Sequence, residues 1–249
     1  MHTTPILLGA GLLAGAMNAL AGGGSFVTLA AMVATGLPSV TANASSTVAL
    51  YPAGAASAWV YRGGLATVGG LPLRRTLAAT LFGGFAGALL LLSTPASAFD
   101  RVVPWLLLVA TLTLGAGPRL GARLRARGRA GPGAPLAVQI LLGVYGGYFG
   151  GAVGLMMMAA WSMIDGADVK ALNPLRTVMV TAANSVAVLC FAAAGAVDWS
   201  AALLVGAGAV VGGYCGAHLG RRLPAPVVRA GTVLLAMLLT ATFFVRAYG

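Results

Sequence analysis

Long apolar segments separated by short polar connections run along almost the whole chain. Most of them hold the ~20 apolar residues that a membrane-spanning helix needs. Two segments, residues 5–37 and 136–164, are too long for one span, and a cluster of glycines interrupts each. Glycine costs about 1 kcal/mol relative to alanine in a helix interior. The pattern therefore predicts, in each of these segments, two short helices that meet at a break.

The glycine clusters occupy residues 22–24 and 146–154. Non-helical backbone is tolerated at membrane depth only where it is buried in protein or lines a polar cavity. Free N–H groups at the start of a half-helix attract anions. The two breaks are therefore candidate anion sites.

Composition narrows the class of protein. Hydrophobic residues make up 59% of the chain and charged residues 8%, with a mean hydropathy of +0.94, whereas soluble proteins have about 25% charged residues. The apolar segments exceed the ten-residue strands of a membrane barrel, so an all-α membrane protein is expected. A net charge of +11 suits nucleic acid, but the basic residues lie between apolar segments without interleaved aromatic residues. No nucleic-acid partner is expected.

The second half of the chain repeats the first. Asn43 and Thr47 align with Asn173 and Thr177 at a constant offset, which also pairs Gly24 with Gly154 and Gly36 with Gly166. Residues 83–87 also match residues 212–216. We therefore predict two transmembrane repeats, residues 1–117 and 136–249, joined by an Arg-rich loop at 118–135.

Charge placement predicts the orientation. With the loop at 118–135 in the cytoplasm and each broken segment as a re-entrant hairpin, only Arg101 and Arg246 remain outside, and Arg176 lies at the membrane boundary. This satisfies the positive-inside rule. Each repeat then has one hairpin and three crossings, so the second repeat is inverted and the hairpins meet near the midplane. Kinked helices that cross fully would place Arg74 and Arg75 opposite the loop, which the charge bias disfavours.

Polar residues near the breaks are candidate ligands. Arg176 lies about one turn into a helix, beside Asn173 and Thr177. Its side chain either snorkels to the interface or supplies a guanidinium for a small oxyanion. The neutral polar residues either bond between helices or add donors to the site. The candidate substrate-binding residues are Asn18, Gly22, Gly23, Gly24, Ser25, Asn43, Ser46, Thr47, Tyr148, Gly151, Gly154, Asn173, Arg176, Thr177 and Asn184.

Few residues in the sequence could support catalysis or bind a metal ion within the membrane. All four acids fall in predicted loops: Asp100, Asp165, Asp168 and Asp198. The two cysteines, Cys190 and Cys215, lie in apolar segments. An intramembrane enzyme would need a cluster of His, Asp, Glu or Cys within the bundle. We therefore expect no catalytic residue, no metal and no cofactor.

Small residues and tryptophans predict packing and membrane depth. Glycines at four-residue spacing predict close helix–helix seams. Tryptophans near segment ends predict interfacial anchors. The glycine ladders are Gly11/Gly15, Gly143/Gly147/Gly151, Gly146/Gly150/Gly154 and Gly208/Gly212/Gly216/Gly220, and the tryptophans are Trp59, Trp105, Trp161 and Trp199.

Several runs resemble one known family. Residues 15–25, then Gly36, Leu37 and Pro38, then residues 42–50 resemble the sulfite exporter TauE/SafE family. Residues 143–154 and 195–199 are similar to the second repeat of that family, so the resemblance covers essentially the whole chain. One departure is Ser45 and Ser46, where many members have Thr-Asn.

The resemblance implies a multi-pass permease of the bacterial inner membrane, surrounded by lipid. It would move small sulfur-containing anions such as sulfite or organosulfonates, usually outward. With the predicted repeats, this indicates a secondary transporter whose substrate binds near the midplane between two broken-helix hairpins, with alternating access. An anion channel of the same fold is the alternative. Proton coupling and a homo-oligomer are left open.

Overall fold

The computed structural model describes residues 3–20, 23–63, 65, 67–125, 133–165, 169–220 and 225–249. All ten elements named in these ranges are α-helices, which agrees with the predicted all-α class. The helices are α1 Thr3–Leu20, α2 Gly24–Ala34, α3 Ser39–Tyr61, α4 Leu73–Ser93, α5 Ala96–Arg125, α6 Ala134–Tyr148, α7 Val153–Asp165, α8 Val169–Ala193, α9 Trp199–Gly220 and α10 Ala225–Tyr248.

Six helices in the described ranges are long and apolar enough to cross a membrane. Their apolar spans are Thr3–Leu20, Leu73–Ser93, Ala96–Gly115, Leu172–Ala193, Trp199–Gly216 and Ala230–Tyr248. Two shorter apolar helices are Gly24–Ala34 and Ala134–Tyr148. The chain is a multi-pass membrane protein.

Both apolar segments that were too long for one span are divided into two helices. Between α1 and α2, Gly23 has a φ of 87°, and between α6 and α7, Gly150 has a φ of 73°. Glycine adopts this left-handed conformation without steric cost. In the second break, Ala152 also has a positive φ, 56°. This left-handed conformation is uncommon for a residue with a side chain.

The two arms of the first pair differ in length. At 1.5 Å per residue, the 18 residues of α1 extend about 27 Å and the 11 residues of α2 about 16 Å. By length, α1 is itself a candidate span. Re-entrant entry and inverted repeats therefore remain predictions.

Some predicted loops are helical. Asp100 lies in α5 and Asp165 is the last residue of α7, so the expectation that all acids lie in loops is wrong. Helix α5 continues past its predicted end at Gly117 to Arg125, because Leu, Ala and Arg favour a helix. Helix α8 begins at Val169, which places Asn173 inside the helix. Gly166, Asp168 and the part of the Arg-rich segment at 126–132 lie outside the described residues.

A first compact unit comprises the described residues of Met1–Leu50, Leu92–Thr111 and Phe191–Gly249. Within it, α1 packs closely along α9. A Cβ added at Gly216 of α9 would lie 2.6 Å from Ala16 Cα of α1, and one at Gly15 would overlap the carbonyl oxygen of Ala209. The predicted glycine seam is confirmed here, and it also includes Gly11, Gly208 and Gly212.

A second compact unit comprises the described residues of Tyr51–Leu91 and Leu112–Cys190. Its seam joins α4 to α6. A Cβ at Gly147 would overlap the carbonyl oxygen of Gly84 and lie 2.8 Å from Gly84 Cα. Gly83, Gly87 and Gly143 share this seam. The predicted ladder Gly146/Gly150/Gly154 is not a helix seam, because Gly150 lies in the break. Gly151, predicted to continue the ladder of Gly143 and Gly147, lies in the break as well.

A buried hydrogen-bonded network supports the core of the second unit. The indole N–H of Trp161 donates to Gln139 Oε1 at 2.9 Å. The Gln139 amide donates to Thr80 Oγ1 at 2.7 Å, and Thr80 donates to the carbonyl oxygen of Thr76 at 2.7 Å. Apolar side chains such as Leu142 pack around Trp161. These hydrogen bonds link α4, α6 and α7.

Trp161 is therefore not the interfacial anchor that its position near a segment end predicted. Only 2% of it is exposed, because a partner for its N–H lies inside the protein rather than at the membrane surface. Trp59, Trp105 and Trp199 are exposed, as the anchor hypothesis requires.

Candidate functional site

The first break is closed by a side chain from α1. Asn18 Oδ1 accepts the N–H of Gly24 at 2.8 Å, which satisfies one of the free donors at the start of α2. Gly23 and Gly24 are buried. A Cβ at Gly24 would lie 2.9 Å from Asn18 Cγ, so glycine is what permits the contact. Gly22, also a predicted site residue, lies outside the described residues.

The polar start of α3 is largely engaged with its own unit. Ser46 hydrogen-bonds the Thr28 hydroxyl of α2, and the Thr47 hydroxyl donates to the carbonyl oxygen of Asn43 at 3.0 Å. Ser25 is half-buried, and its carbonyl oxygen accepts from Thr28 at 3.2 Å. These predicted site residues act at least partly as contacts between or within helices.

The second break leaves backbone donors free. Helix α6 ends at Tyr148, Gly151 is buried, and α7 begins at Val153. Within the described residues, the N–H groups of Val153 and Gly154 form no hydrogen bond, whereas Leu155 already donates to Ala152 at 2.9 Å. The start of α7 therefore carries free donors and the positive end of the helix dipole.

Arg176 of α8 lies over this first turn of α7. A Cβ at Gly154 would be 3.2 Å from Arg176 Cδ and 3.3 Å from Cγ, so the aliphatic stem packs against the glycine. The Arg176 Nε is buried and has no hydrogen-bond partner in the described part of the chain. A buried donor left unsatisfied costs about 1–3 kcal/mol, and more when it belongs to a charged group. A bound anion would remove that cost.

The other predicted residues of α8 fall into two groups. The Thr177 hydroxyl donates to the carbonyl oxygen of Asn173 at 3.0 Å, so it serves its own helix. Asn184 Oδ1 is buried and unpaired within the described residues. On the face that meets α3, Tyr51 hydrogen-bonds Ser185 at 3.0 Å, and Thr181 donates to Gly54 at 3.1 Å.

The predicted site residues thus divide between the two units. In the second unit, Gly154 and Arg176 lie in contact, next to the break that holds Tyr148 and Gly151. The members in the first unit gather around the α1–α2 break and the start of α3: Asn18, Gly23, Gly24, Ser25, Asn43, Ser46 and Thr47.

Sequence patterns missed two polar contacts. Gln139 forms the centre of a buried hydrogen-bonded network. In the sequence, the only indication of this role was a single amide side chain within an apolar segment. Ser45 Oγ accepts the backbone N–H of Asp198 at 2.8 Å, which ties the α8–α9 connection to α3. No pattern along the chain links residues so far apart, so this pairing had no sequence signal.

Asp198 caps α9. Its Oδ1 accepts the N–H of Ala201 at 2.8 Å and the Ser200 hydroxyl at 2.7 Å. These hydrogen bonds hold the pKa of the Asp198 carboxyl below its usual range, and the bond from the Ala201 N–H has the largest effect. Among the described residues, no three His, Cys, Asp or Glu side chains form a group that would hold a metal ion.

Comparisons with known proteins point in one direction. The model of the family "Sulfite exporter TauE/SafE" matches residues 7–243. The "Probable membrane transporter protein YfcA" of Escherichia coli strain K12 is 27% identical over 99% of this chain and 93% of its own length. A "Probable membrane transporter protein" of Haemophilus influenzae is 27% identical over 95% of this chain and 92% of its own.

A third relative, the "Probable membrane transporter protein ORF9" of a Sinorhizobium species, is 27% identical over 96% of this chain and 91% of its own length. No solved structure gives a significant match. Because the family model spans nearly the whole chain, and the relatives align from end to end, this protein belongs to the TauE/SafE sulfite exporter family and is a membrane transporter.

Proposed function

We propose that this protein is a secondary transporter that exports small sulfur-containing anions, such as sulfite or organosulfonates, across the bacterial inner membrane. Family membership supports the substrate class. The distribution of arginines supports a cytoplasmic position for the segment at 118–135. The protein performs no covalent chemistry in this proposal.

The observation that carries the proposal is the unpaired, buried Nε of Arg176 beside the first turn of α7. An oxyanion there would accept from the guanidinium, which matches planar arrangements of oxygen atoms. The N–H groups of Val153 and Gly154 would add two backbone donors. Gly154 has no side chain, which leaves room for both the arginine stem and the anion.

The remaining candidates would complete two related surfaces. Tyr148, Gly151, Asn173, Thr177 and Asn184 would line the approach to Arg176. In the first repeat, the break at Gly22, Gly23 and Gly24, with Asn18, Ser25, Asn43, Ser46 and Thr47, would take the equivalent role without an arginine. Rocking of one repeat against the other would give alternating access.

The membrane potential is a sufficient driving force for export. Moving one elementary charge across the membrane is worth about 2.3 kcal/mol per 100 mV. Since the cytoplasm is negative, an anion gains this energy on leaving. Proton coupling is therefore not required, although a proton that entered the cell in exchange for the anion would add to the driving force.

Transport by the purified protein in liposomes tests the proposal. A panel of sulfite, thiosulfate, sulfoacetate, taurine and sulfate should include at least one sulfur anion with saturable uptake and accelerated exchange against internal substrate. Protein-free liposomes are the control. Flux that never saturates and shows no counterflow would indicate an anion channel. No response to any sulfur anion would contradict the substrate class.

A further inference from the structure

The first residue of α3 carries a buried hydroxyl without a partner. Ser39 is 2% exposed, and its Oγ forms no hydrogen bond within the described residues. A buried polar atom left unpaired costs about 1–3 kcal/mol. It is also one of the few such atoms in the described part of the chain, so it calls for an explanation.

Backbone donors lie beside this hydroxyl. The first hydrogen-bonded N–H of α3 is that of Ala42, which donates to Pro38 at 2.8 Å. The N–H groups of Ser39, Val40 and Thr41 make no bond in the described residues. Helix starts are normally capped by a side-chain oxygen, but Pro38 precedes the helix and has none. The end of this 23-residue helix is therefore uncapped.

We infer that the N-terminus of α3 is a second oxyanion site, separate from Arg176. Three N–H groups and one hydroxyl belong to a single helix end that carries the positive pole of its dipole. A water molecule has two lone pairs and cannot accept from all four donors, whereas an oxyanion with three or more oxygens can. The ligand class is a small oxyanion held by neutral donors.

The predicted orientation assigns this site a place in transport. Arg62 follows the other end of α3, on the side that the positive-inside rule makes cytoplasmic. The start of α3 then faces away from the cytoplasm, so an exported anion would bind there on leaving. This placement rests on the proposed function, whereas the site itself does not.

Sulfate binding to the purified, full-length protein tests the site. Arg176→Gln removes the guanidinium and should leave a saturable increase of melting temperature with sodium sulfate, relative to sodium gluconate at equal ionic strength. Adding Ser39→Ala should weaken this residual binding about tenfold or more, since a hydrogen bond to a charged group is lost. Ser57→Ala is the matched control, because the Ser57 hydroxyl donates to Ala53 in the same helix at 2.9 Å.

Stability without sulfate separates this role from a structural one. Ser39→Ala removes an unpaired hydroxyl, so the melting temperature without sulfate should stay the same or rise. A fall would mean that the hydroxyl holds the fold, and would overturn the inference. Ser39→Asp places a carboxylate at the positive end of the helix dipole and should abolish the sulfate response of the Arg176→Gln protein.

Two further results would overturn the inference: no sulfate response in Arg176→Gln, or the same response with and without the Ser39 hydroxyl. If Arg176→Gln does not fold, calorimetry on the protein with Arg176 intact should give two sulfate ions, and Ser39→Ala should give one. A value of one in both would contradict the second site. Normal flux in Arg176→Gln would count against the proposed function alone.

Discussion

The side chain of Arg176 packs against Gly154, with only 3.2 Å between Arg176 Cδ and the position that a Cβ would take on the glycine. The two residues are far apart in sequence, and each was a candidate for a separate reason. Gly154 belongs to a glycine cluster, and Arg176 is a charged residue near a membrane boundary. Their contact places an unpaired guanidinium nitrogen beside free backbone donors, which is the basis of the proposed anion site.

Gly154→Ala should reduce anion affinity while leaving the fold intact. The added methyl group would lie 3.2–3.3 Å from the Arg176 and Val180 side chains, so the arginine must move by a few tenths of an ångström. Alanine also favours the helix by about 1 kcal/mol, which offsets the crowding. We expect an unchanged melting temperature and a severalfold higher half-saturation concentration for sulfite flux.

Gly231→Ala is the control for this variant, because a Cβ at Gly231 meets nothing within 4 Å. It should leave flux unchanged. Equal sulfite half-saturation in both variants and in the parent protein would show that the Gly154–Arg176 contact does not shape the site.

Gly147→Ala should have the opposite profile, with a large loss of stability. A Cβ there would overlap the backbone of Gly84, and backbone cannot move aside as a side chain can. Separating α4 from α6 should cost at least about 2 kcal/mol. Thermal unfolding in detergent measures this, and a melting temperature equal to that of Gly231→Ala would contradict the close packing of the seam.

The buried network predicts coupling between Gln139 and Trp161. Gln139→Leu removes the acceptor of the indole N–H and should destabilise the protein by about 1–3 kcal/mol. Trp161→Phe removes the orphaned donor, so the double variant should be less destabilised than the sum of the two single variants. The measurement is a double-mutant cycle of unfolding free energies. Strict additivity would mean that the hydrogen bond contributes nothing.

The elements that could be predicted from sequence are those set by local composition. The breaks near Gly23 and Gly150 follow from glycine clusters in overlong apolar segments, and the seam glycines of α1 and α9 follow from their four-residue spacing. Trp161 shows the limit: an indole near a segment end suits either the interface or the core. Trp161 lies in the core because its N–H donates to Gln139, and that pairing depends on how α6 and α7 pack.

The candidate site was predicted only in part for the same reason. Asn18, Thr47 and Thr177 were expected as ligands because they are polar residues in an apolar setting. The structure gives each a nearby backbone partner, since a hydroxyl or amide in a dry environment bonds whatever is closest. Arg176 differs because no carbonyl or carboxylate in the described residues accepts from its buried Nε.

Stability should depend on pH through Asp198. Its folded-state pKa is depressed, so the cap contributes fully above the usual carboxyl pKa of 3.8 and is lost as pH falls below it. At pH 7, Asp198→Ala should cost about 1 kcal/mol. Asp198→Asn keeps an acceptor for the Ala201 N–H and should cost less.

Unfolding followed between pH 3 and pH 7 measures this effect. The gap in melting temperature between the parent protein and Asp198→Asn should narrow as pH falls through 4. A gap that stays constant over this range would mean that the carboxylate charge does not contribute to the cap.

The central claim is that the Arg176 guanidinium binds the transported anion, and sulfite flux through proteoliposomes tests it most directly. Arg62→Gln is the matched control, since Arg62 is an exposed arginine that stacks on Trp59, with its guanidinium carbon 3.8 Å from the ring centroid. We expect Arg176→Gln to lose at least about tenfold in flux at low sulfite concentration, with its melting temperature close to that of Arg62→Gln. Sulfite flux through Arg176→Gln equal to that of the parent protein would contradict the account.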